Sequence, residues 1–119
     1  MRYMFTLGLL LLAGCASQPT PLSSVESDWF NYGLSRGDKG YIQQSEKQLA
    51  KLDSGSFFNQ ALYDAYTKGY EQGRLNYCGQ NAYMLGVRGR PYQGVCDQLD
   101  PFFSQDYMSG RNSTAGSIF

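Results

Sequence analysis

The sequence predicts a small all-α protein, a disulfide-stapled bundle of three to four helices with one Gly/Pro-rich loop. Apolar residues between Phe57 and Tyr77 recur at three- and four-residue steps, which is the spacing of a helix face. No segment of useful length shows the alternation of apolar and polar residues that is typical of a strand. The length of 119 residues allows one small domain, for which two cysteines near the end of the helical region supply a staple.

The N-terminal segment predicts export. Arg2 precedes an apolar run from Met4 to Leu12, and small residues stand directly before Cys15. A positive region, an apolar region and small residues at the cleavage point are the parts of a secretory signal. The run is shorter than the about 20 apolar residues of a membrane-spanning helix. We therefore expect residues 1–14 to be removed as a signal peptide.

The residues around the expected cleavage point resemble the lipobox of bacterial lipoproteins, here Leu12-Ala13-Gly14-Cys15. The resemblance implies that Cys15 becomes the N-terminus and carries lipid on its sulfur and its amine. Two or more acyl chains hold a protein stably at a membrane. Residue 16 is Ala rather than Asp, which in enteric-type bacteria implies sorting to the outer membrane, facing the periplasm. The alternative is a plain secreted protein with an incidental cysteine.

The rest of the chain divides into a flexible linker over residues 15–25, a helical domain over residues 26–111 and a polar tail over residues 112–119. We predict helices over about 24–36, 41–52 and 57–77, one or two further turns over 81–85 that Gly86 ends, and a last helix that stops at Gly110-Arg111. Ser54 or Ser56 is expected to cap the third helix. Asp97 or Asp100 is expected to cap the last, with Pro101 in its first turn.

The two remaining cysteines, Cys78 and Cys96, are predicted to form a structural disulfide. An isolated pair in an exported protein is most simply a disulfide. The alternatives are a redox-active pair or a metal site. The Cys-x-x-Cys spacing of redox motifs is missing, and the chain has no histidine to complete a zinc site.

The absence of histidine also excludes Ser-His-Asp triads, Cys-His pairs and imidazole proton shuttles. The acidic residues are scattered, and no pair of them can be chosen as catalytic. We therefore expect a protein that is not an enzyme and holds no cofactor or metal. The formal net charge is zero, and the longest basic stretch is Arg88-Gly89-Arg90, so nucleic-acid binding has little support.

One spacing recurs along the predicted helices: an aromatic residue followed three positions later by glycine. It occurs at Phe30/Gly33, Tyr66/Gly69, Tyr70/Gly73 and Tyr107/Gly110. Two of these helices also carry glycines four residues apart, Gly33 with Gly37 and Gly69 with Gly73, which places both on one helix face. Glycine lets another backbone approach closely, so we predict a close helix crossing. An exposed partner-binding face and an old duplication are the alternatives.

The region from about Trp29 to Arg111 resembles the small bacterial lipoproteins grouped as domain-of-unknown-function family 2799 (DUF2799). The most specific part is a block with two cysteines, Tyr66-x-x-Gly69-x-x-x-Gly73-Arg74-Leu75-x-Tyr77-Cys78, then Gly86-x-x-Gly89-x-x-Tyr92-x-x-Val95-Cys96, then Phe103-x-x-x-Tyr107-x-x-Gly110-Arg111. An upstream cluster is also similar, Asp28-Trp29-x-x-x-Gly33-x-x-x-Gly37-Asp38-x-Gly40. Many members carry proline where this chain has Asp97. The resemblance implies an envelope lipoprotein and no particular activity.

Tyrosine is abundant, with ten in the chain, and offers the remaining indication of function. A ring with a polar tip suits interfaces and also fills the core of a small domain. Arg88, Arg90 and Tyr92 lie in the loop next to the expected disulfide and form the candidate interaction surface. Two function classes stay open. One is an accessory or structural lipoprotein that binds an envelope protein; the other is a module that binds peptidoglycan or another polysaccharide in the periplasm.

Overall fold

The computed structural model describes residues 19–117, with side chains described as far as residue 113. Within this described range, five helices follow one another: α1 (Glu26–Asp38), α2 (Glu46–Leu52), α3 (Gln60–Cys78), α4 (Ala82–Val87) and α5 (Phe103–Ser117). Residues 19–117 contain no strand. The all-α class and the disulfide are thereby confirmed. The predicted signal peptide, the predicted lipid site at Cys15 and the first residues of the predicted linker lie outside the described residues.

The helices α1 and α3 cross at their glycines, as the spacing predicts. A Cβ atom added at Gly33 would overlap the carbonyl oxygen of Tyr66, and one at Gly37 would overlap that of Tyr70. Contacts therefore advance along both helices in the same direction, so α1 and α3 run parallel. Each of these glycines is buried against the backbone of the other helix rather than exposed to a partner.

The helix α2 begins later than predicted, at Glu46 instead of residue 41. Gly40 turns the chain out of α1 with a φ of 76°, and residues 41–45 adopt no regular structure. The side chain of Ser45 accepts a hydrogen bond from the backbone N–H of Gln48, whose own side chain accepts from the N–H of Ser45. This capping box fixes the start of α2, and the apolar residues at 41 and 42 misled the prediction.

The N-cap of α3 also differs from the prediction. Asn59 caps α3 by accepting from the N–H of Leu62, at 2.9 Å, so the predicted caps at Ser54 and Ser56 are wrong. The turn before α3 is instead built around Asp53, which is 8% exposed and accepts from the N–H of Phe58 at 2.6 Å. An Asx-type turn of this kind competes with early helix formation.

Two hydrophobic clusters stabilise the fold. The first core joins α1, α2 and the N-terminal part of α3 through Trp29, Tyr32, Leu49, Leu62, Ala65 and Tyr66. The second core joins the C-terminal end of α3 to α4, α5 and the connecting loop through Tyr77, Ala82, Leu85, Cys96, Phe103 and Tyr107. The long helix α3 contributes to both, and the Cys78–Cys96 disulfide ties its end to the loop, with Cα atoms 5.6 Å apart.

The last two helices repeat the glycine contact of α1 and α3. A Cβ atom at Gly86 would overlap the carbonyl oxygen of Tyr107, and one at Gly110 would overlap that of Tyr83. Both glycines lie inside their helices, so the predicted helix ends at Gly86 and Gly110 are wrong. The helix α5 runs on to Ser117, through part of the predicted polar tail. Asp100, not Asp97, stands at its start and accepts from the N–H of residue 102.

Candidate functional site

A polar cleft of about 520 Å³ opens where the first and second cores meet. The ends of α1, α3 and α4 and the loop after α4 supply its walls. It is lined by Asp38, Lys39, Gly40, Tyr41, Tyr77, Gln80, Leu85, Arg88, Arg90, Pro91 and Gln93. Its volume falls in the range of small-ligand sites. We refer to it below as the polar cleft.

Two walls of the polar cleft are formed by backbone turns of the same type. At the end of α1, Gly40 has a φ of 76°, and the following N–H donates to the carbonyl group of Arg36 at 3.1 Å. At the end of α4, Gly89 has a φ of 71°, and the following N–H donates to the carbonyl group of Leu85 at 3.3 Å. A left-handed glycine with this six-residue hydrogen bond is the Schellman turn. The two helix ends therefore deliver equivalent residues to one site.

The residues at these two turns are mostly cationic. Lys39 and Arg88 are the C-cap residues of α1 and α4, and Arg90 follows two positions later. With Asp38 as the only carboxylate among the lining residues, the polar cleft has an excess of two positive charges in a chain of zero net charge. No carboxylate in the part of the chain described by the structure lies within 4.0 Å of these cations. They are available to an external anion.

The aromatic walls of the polar cleft are less open than its cations. The guanidinium group of Arg36 stacks over the ring of Tyr41, 5.1 Å from its centroid. Tyr77 is 6% exposed, and its ring occupies the space that a Cβ atom on Gly40 would need. Burial, with a smaller contribution from Tyr107, raises the pKa of Tyr77, so its hydroxyl stays protonated and can donate or accept a hydrogen bond.

The predicted interaction surface is divided by the structure. Arg88 and Arg90 line the polar cleft and are exposed, but Tyr92 turns inward. The Tyr92 hydroxyl donates to Asp97 at 2.6 Å and accepts from the N–H of Cys96 at 3.0 Å. Its ring packs against Phe103, with centroids 4.9 Å apart. Burial and the hydrogen bond to Asp97 raise the pKa of Tyr92. Tyr92 positions the disulfide loop and is not among the residues that line the cleft.

Most of the other tyrosines are structural as well. Tyr66 and Tyr70 are buried along α3 and hold the segment before α2: the Tyr66 hydroxyl accepts from the N–H of Gln44 at 2.8 Å, and the Tyr70 hydroxyl donates to the carbonyl group of Tyr41 at 2.8 Å. Burial raises the pKa of both hydroxyls. The interpretation of tyrosine as core filler is therefore the one that fits most of the rings.

Sequence reasoning missed several residues of the polar cleft, among them Lys39, Gln80 and Gln93. The available signal was a repeated spacing, Gly37-x-x-Gly40 and Gly86-x-x-Gly89, in which the residue before the second glycine is basic each time. Tyr83 with Gly86 is likewise a fifth instance of the aromatic-glycine spacing.

The polar cleft is lined by groups that suit ligand binding. Within residues 19–117, no three His, Cys, Asp or Glu side chains come together as a potential metal site. Over the same residues, no helix is both long enough and apolar enough to cross a bilayer. What the site offers is two exposed guanidinium groups, an ammonium group and two carboxamides, which together recognise carboxylate and amide groups.

Comparison with known proteins gives one match. The family described as "Protein of unknown function (DUF2799)" matches residues 28–112, which is most of the chain and contains both cores and the polar cleft. No curated protein and no solved structure matches the chain.

Proposed function

The chain belongs to the DUF2799 family, and from this premise we propose that it is a bacterial envelope lipoprotein with an accessory, non-catalytic role. In this proposal Cys15 carries the lipid anchor in the outer membrane, residues 16–25 act as a spacer, and the helical domain binds an envelope protein in the periplasm. The support for the anchor is the lipobox-like sequence before Cys15.

The observation that supports partner binding is the polar cleft. Its three cations have no carboxylate partner among the residues that the structure describes, and two Schellman turns fix the backbone from which Lys39 and the two arginines project. An open, charged cleft on a fixed backbone favours recognition of a complementary surface, because no loop has to be ordered before binding. Electrostatic complementarity of this kind increases the rate and specificity of association.

The anchor is tested by mass spectrometry of the protein extracted from membranes. We expect acyl chains on Cys15 and no residues 1–14, and we expect Cys15→Ser to accumulate as an unprocessed or soluble chain. An intact, unacylated N-terminus in wild-type cells would contradict the proposal.

Partner binding is tested by photo-crosslinking in living cells. A photoreactive amino acid at Gln93, which lines the polar cleft, should give one discrete adduct with an envelope protein. The same amino acid at Lys47, exposed on α2 and outside the cleft, is the matched control. Equal patterns from the two positions would remove the cleft as the binding site.

A second candidate function is binding of peptidoglycan or another polysaccharide. The observation in its favour is the combination of carboxamide and guanidinium groups in the polar cleft, because these groups also hydrogen-bond to sugar hydroxyls. Sedimentation with purified sacculi tests it: wild-type protein should pellet with the sacculi, and Arg88→Ala/Arg90→Ala should stay in solution.

A further inference from the structure

Among the residues of the polar cleft, one cation has no structural explanation. A positive charge at a helix C-terminus is favourable by itself, which accounts for Lys39 and Arg88 as C-cap residues. Arg90 lies beyond the cap of α4, and only its backbone has a structural role: its N–H closes the turn and its carbonyl group accepts from the hydroxyl of Tyr107 at 2.6 Å. Its exposed side chain extends the charge of the cleft.

We infer that the polar cleft binds a short, extended, acidic peptide segment, with Arg88, Arg90 and Lys39 pairing with its carboxylates. This inference rests on the proposed function, in which the cleft binds an envelope protein, and it specifies the chemistry of the bound segment. Guanidinium groups pair with carboxylates through two parallel hydrogen bonds, which fixes orientation as well as charge.

The remaining polar residues suit a peptide backbone. Gln80 donates from its amide nitrogen to the carbonyl group of Tyr77 at 3.0 Å, which leaves its amide oxygen as an acceptor for a ligand N–H. Gln93, on the loop after α4, supplies a second exposed carboxamide with both a donor and an acceptor. An extended peptide presents N–H and C=O groups at regular intervals, and carboxamides match both.

The aromatic residues offer little open ring surface to a saccharide. Sugar rings stack on open aromatic faces, and Tyr41, which is 39% exposed, has one face of its ring covered by the guanidinium group of Arg36. Tyr77 is almost fully buried, with its ring against Gly40. Charge therefore carries recognition in this cleft, and it favours an acidic peptide over a neutral saccharide.

The test measures binding of a fluorescently labelled peptide of alternating Glu and Gly to the full chain in detergent. The matched ligands are a Gln/Gly peptide of equal length and an oligogalacturonate with the same number of carboxylates. The cleft variant is Arg88→Ala/Arg90→Ala, and the control is Lys47→Ala/Lys51→Ala, which removes the same charge from the exposed surface of α2. Circular dichroism melts establish that both variants remain folded.

We expect the Glu/Gly peptide to bind and the Gln/Gly peptide not to bind. The cleft variant should weaken binding by about tenfold and the control by less than about twofold, since exposed charge pairs contribute modestly and locally. Binding should also weaken with salt, because the screening length falls from about 10 Å at 0.1 M to about 3 Å at 1 M. Equal losses in the two variants, tighter binding of oligogalacturonate, or no binding of the Glu/Gly peptide would each overturn the inference.

The crosslinking experiment separates this inference from the proposed function. An adduct at Gln93 together with no affinity for the Glu/Gly peptide would support the proposed protein partner but would contradict the inference that the bound segment is acidic. Peptide binding at the cleft with no adduct in cells would support the chemistry of the cleft and reject the proposed partner.

Discussion

Gly33 and Gly69 hold α1 and α3 together through a reciprocal backbone contact. Gly33 lies against the carbonyl group of Tyr66, and Gly69 lies against the carbonyl group of Phe30. Each of these carbonyl groups belongs to the residue three positions before the other glycine. Backbones this close allow weak Cα–H···O contacts, worth about 0.5–1 kcal/mol each. The aromatic-glycine spacing is therefore one geometric unit: the residue that provides the acceptor and the glycine that approaches the other helix.

The first prediction concerns Gly73 on α3. A Cβ atom there would overlap the carbonyl oxygen of Leu34 and lie 2.5 Å from the backbone nitrogen of Asp38, and neither backbone atom can move independently. We expect Gly73→Leu to lower the free energy of unfolding by about 3 kcal/mol or more. The higher helix propensity of leucine offsets only about 1 kcal/mol of the clash. Thermal melts followed by circular dichroism measure the change.

Gly79→Ala is the matched control for Gly73→Leu. A Cβ atom at Gly79 would make only ordinary contacts, at 3.4 Å and 3.5 Å, with carbonyl oxygens of its own helix. We expect a change within about 0.5 kcal/mol. A Gly73→Leu melt at or above the wild-type temperature would contradict the crossing and move this face to a binding role.

The second prediction concerns the disulfide. Replacing both Cys78 and Cys96 by Ala should lower the free energy of unfolding by about 2–5 kcal/mol, because the bond closes a loop between residues 18 apart. The second core depends on it more than the first, since Cys96 is fully buried there. Amide hydrogen exchange should therefore accelerate in α4 and α5 before it does in α1. Reactive thiols in the native, oxidised protein would contradict the assignment.

The third prediction concerns Asp53 in the turn before α3. Its carboxylate accepts from the N–H groups of Gly55 and Phe58, at 3.3 Å and 2.6 Å. Asp53→Ala removes the acceptor of both donors, of which the N–H of half-buried Phe58 is the less open to water, and should cost about 1–3 kcal/mol, whereas Asp53→Asn retains one acceptor and should cost less. Asp64→Ala, an exposed carboxylate on α3, is the control and should change stability by less than about 0.5 kcal/mol. Urea unfolding distinguishes the three variants.

The fourth prediction concerns alkaline pH. Burial raises the pKa of Tyr66, Tyr70, Tyr77 and Tyr92 above the ordinary value of 10.0. The unfolded chain then loses these protons at lower pH than the folded protein does, so stability is retained below pH 10 and falls as pH rises above it.

A paired titration tests this sign. Tyrosinate absorbance and circular dichroism are recorded from neutral pH upward, and part of the absorbance should appear together with the loss of helix. Tyr92→Phe should lower stability at neutral pH by about 1 kcal/mol per lost hydrogen bond and make the alkaline decline less steep. Complete tyrosine ionisation in a protein that remains fully helical would contradict the prediction.

The fold is predictable where the local residue pattern and the packing between helices favour the same structure. The steps of three and four residues located α3, and the glycine spacing located its crossing with α1. The predictions failed where a residue type has two common roles. Glycine ends helices and also permits close crossings, so the sequence predicts helix ends at Gly86 and Gly110, where the structure has helix crossings.

The candidate site was only partly predictable for a different reason. Arg88 and Arg90 lie in the sequence segment that the Cys78–Cys96 disulfide closes and are predicted as surface residues, whereas Lys39 is distant in the sequence and comes close only through the packing of the two cores. The sequence predicts Tyr92 at the surface because it lies in the same Gly/Pro-rich loop as Arg88 and Arg90. Its inward orientation depends on Phe103 and Asp97, contacts that periodicity does not encode.

The parallel orientation of α1 and α3 has a consequence for how the chain folds. Two parallel helices cannot form as a simple hairpin, so Gly33 and Gly69 meet only after the segment that contains α2 has crossed back along the pair. The contact that organises the first core is therefore non-local. The chain loses the conformational entropy of closing this loop before the burial of apolar surface compensates for it. Helix α2, fixed by its capping box, lies in the connecting segment and contributes Leu49 to the first core. The rate of folding is therefore expected to be limited by closure of the contact between α1 and α3, because the two helices are separated in the sequence.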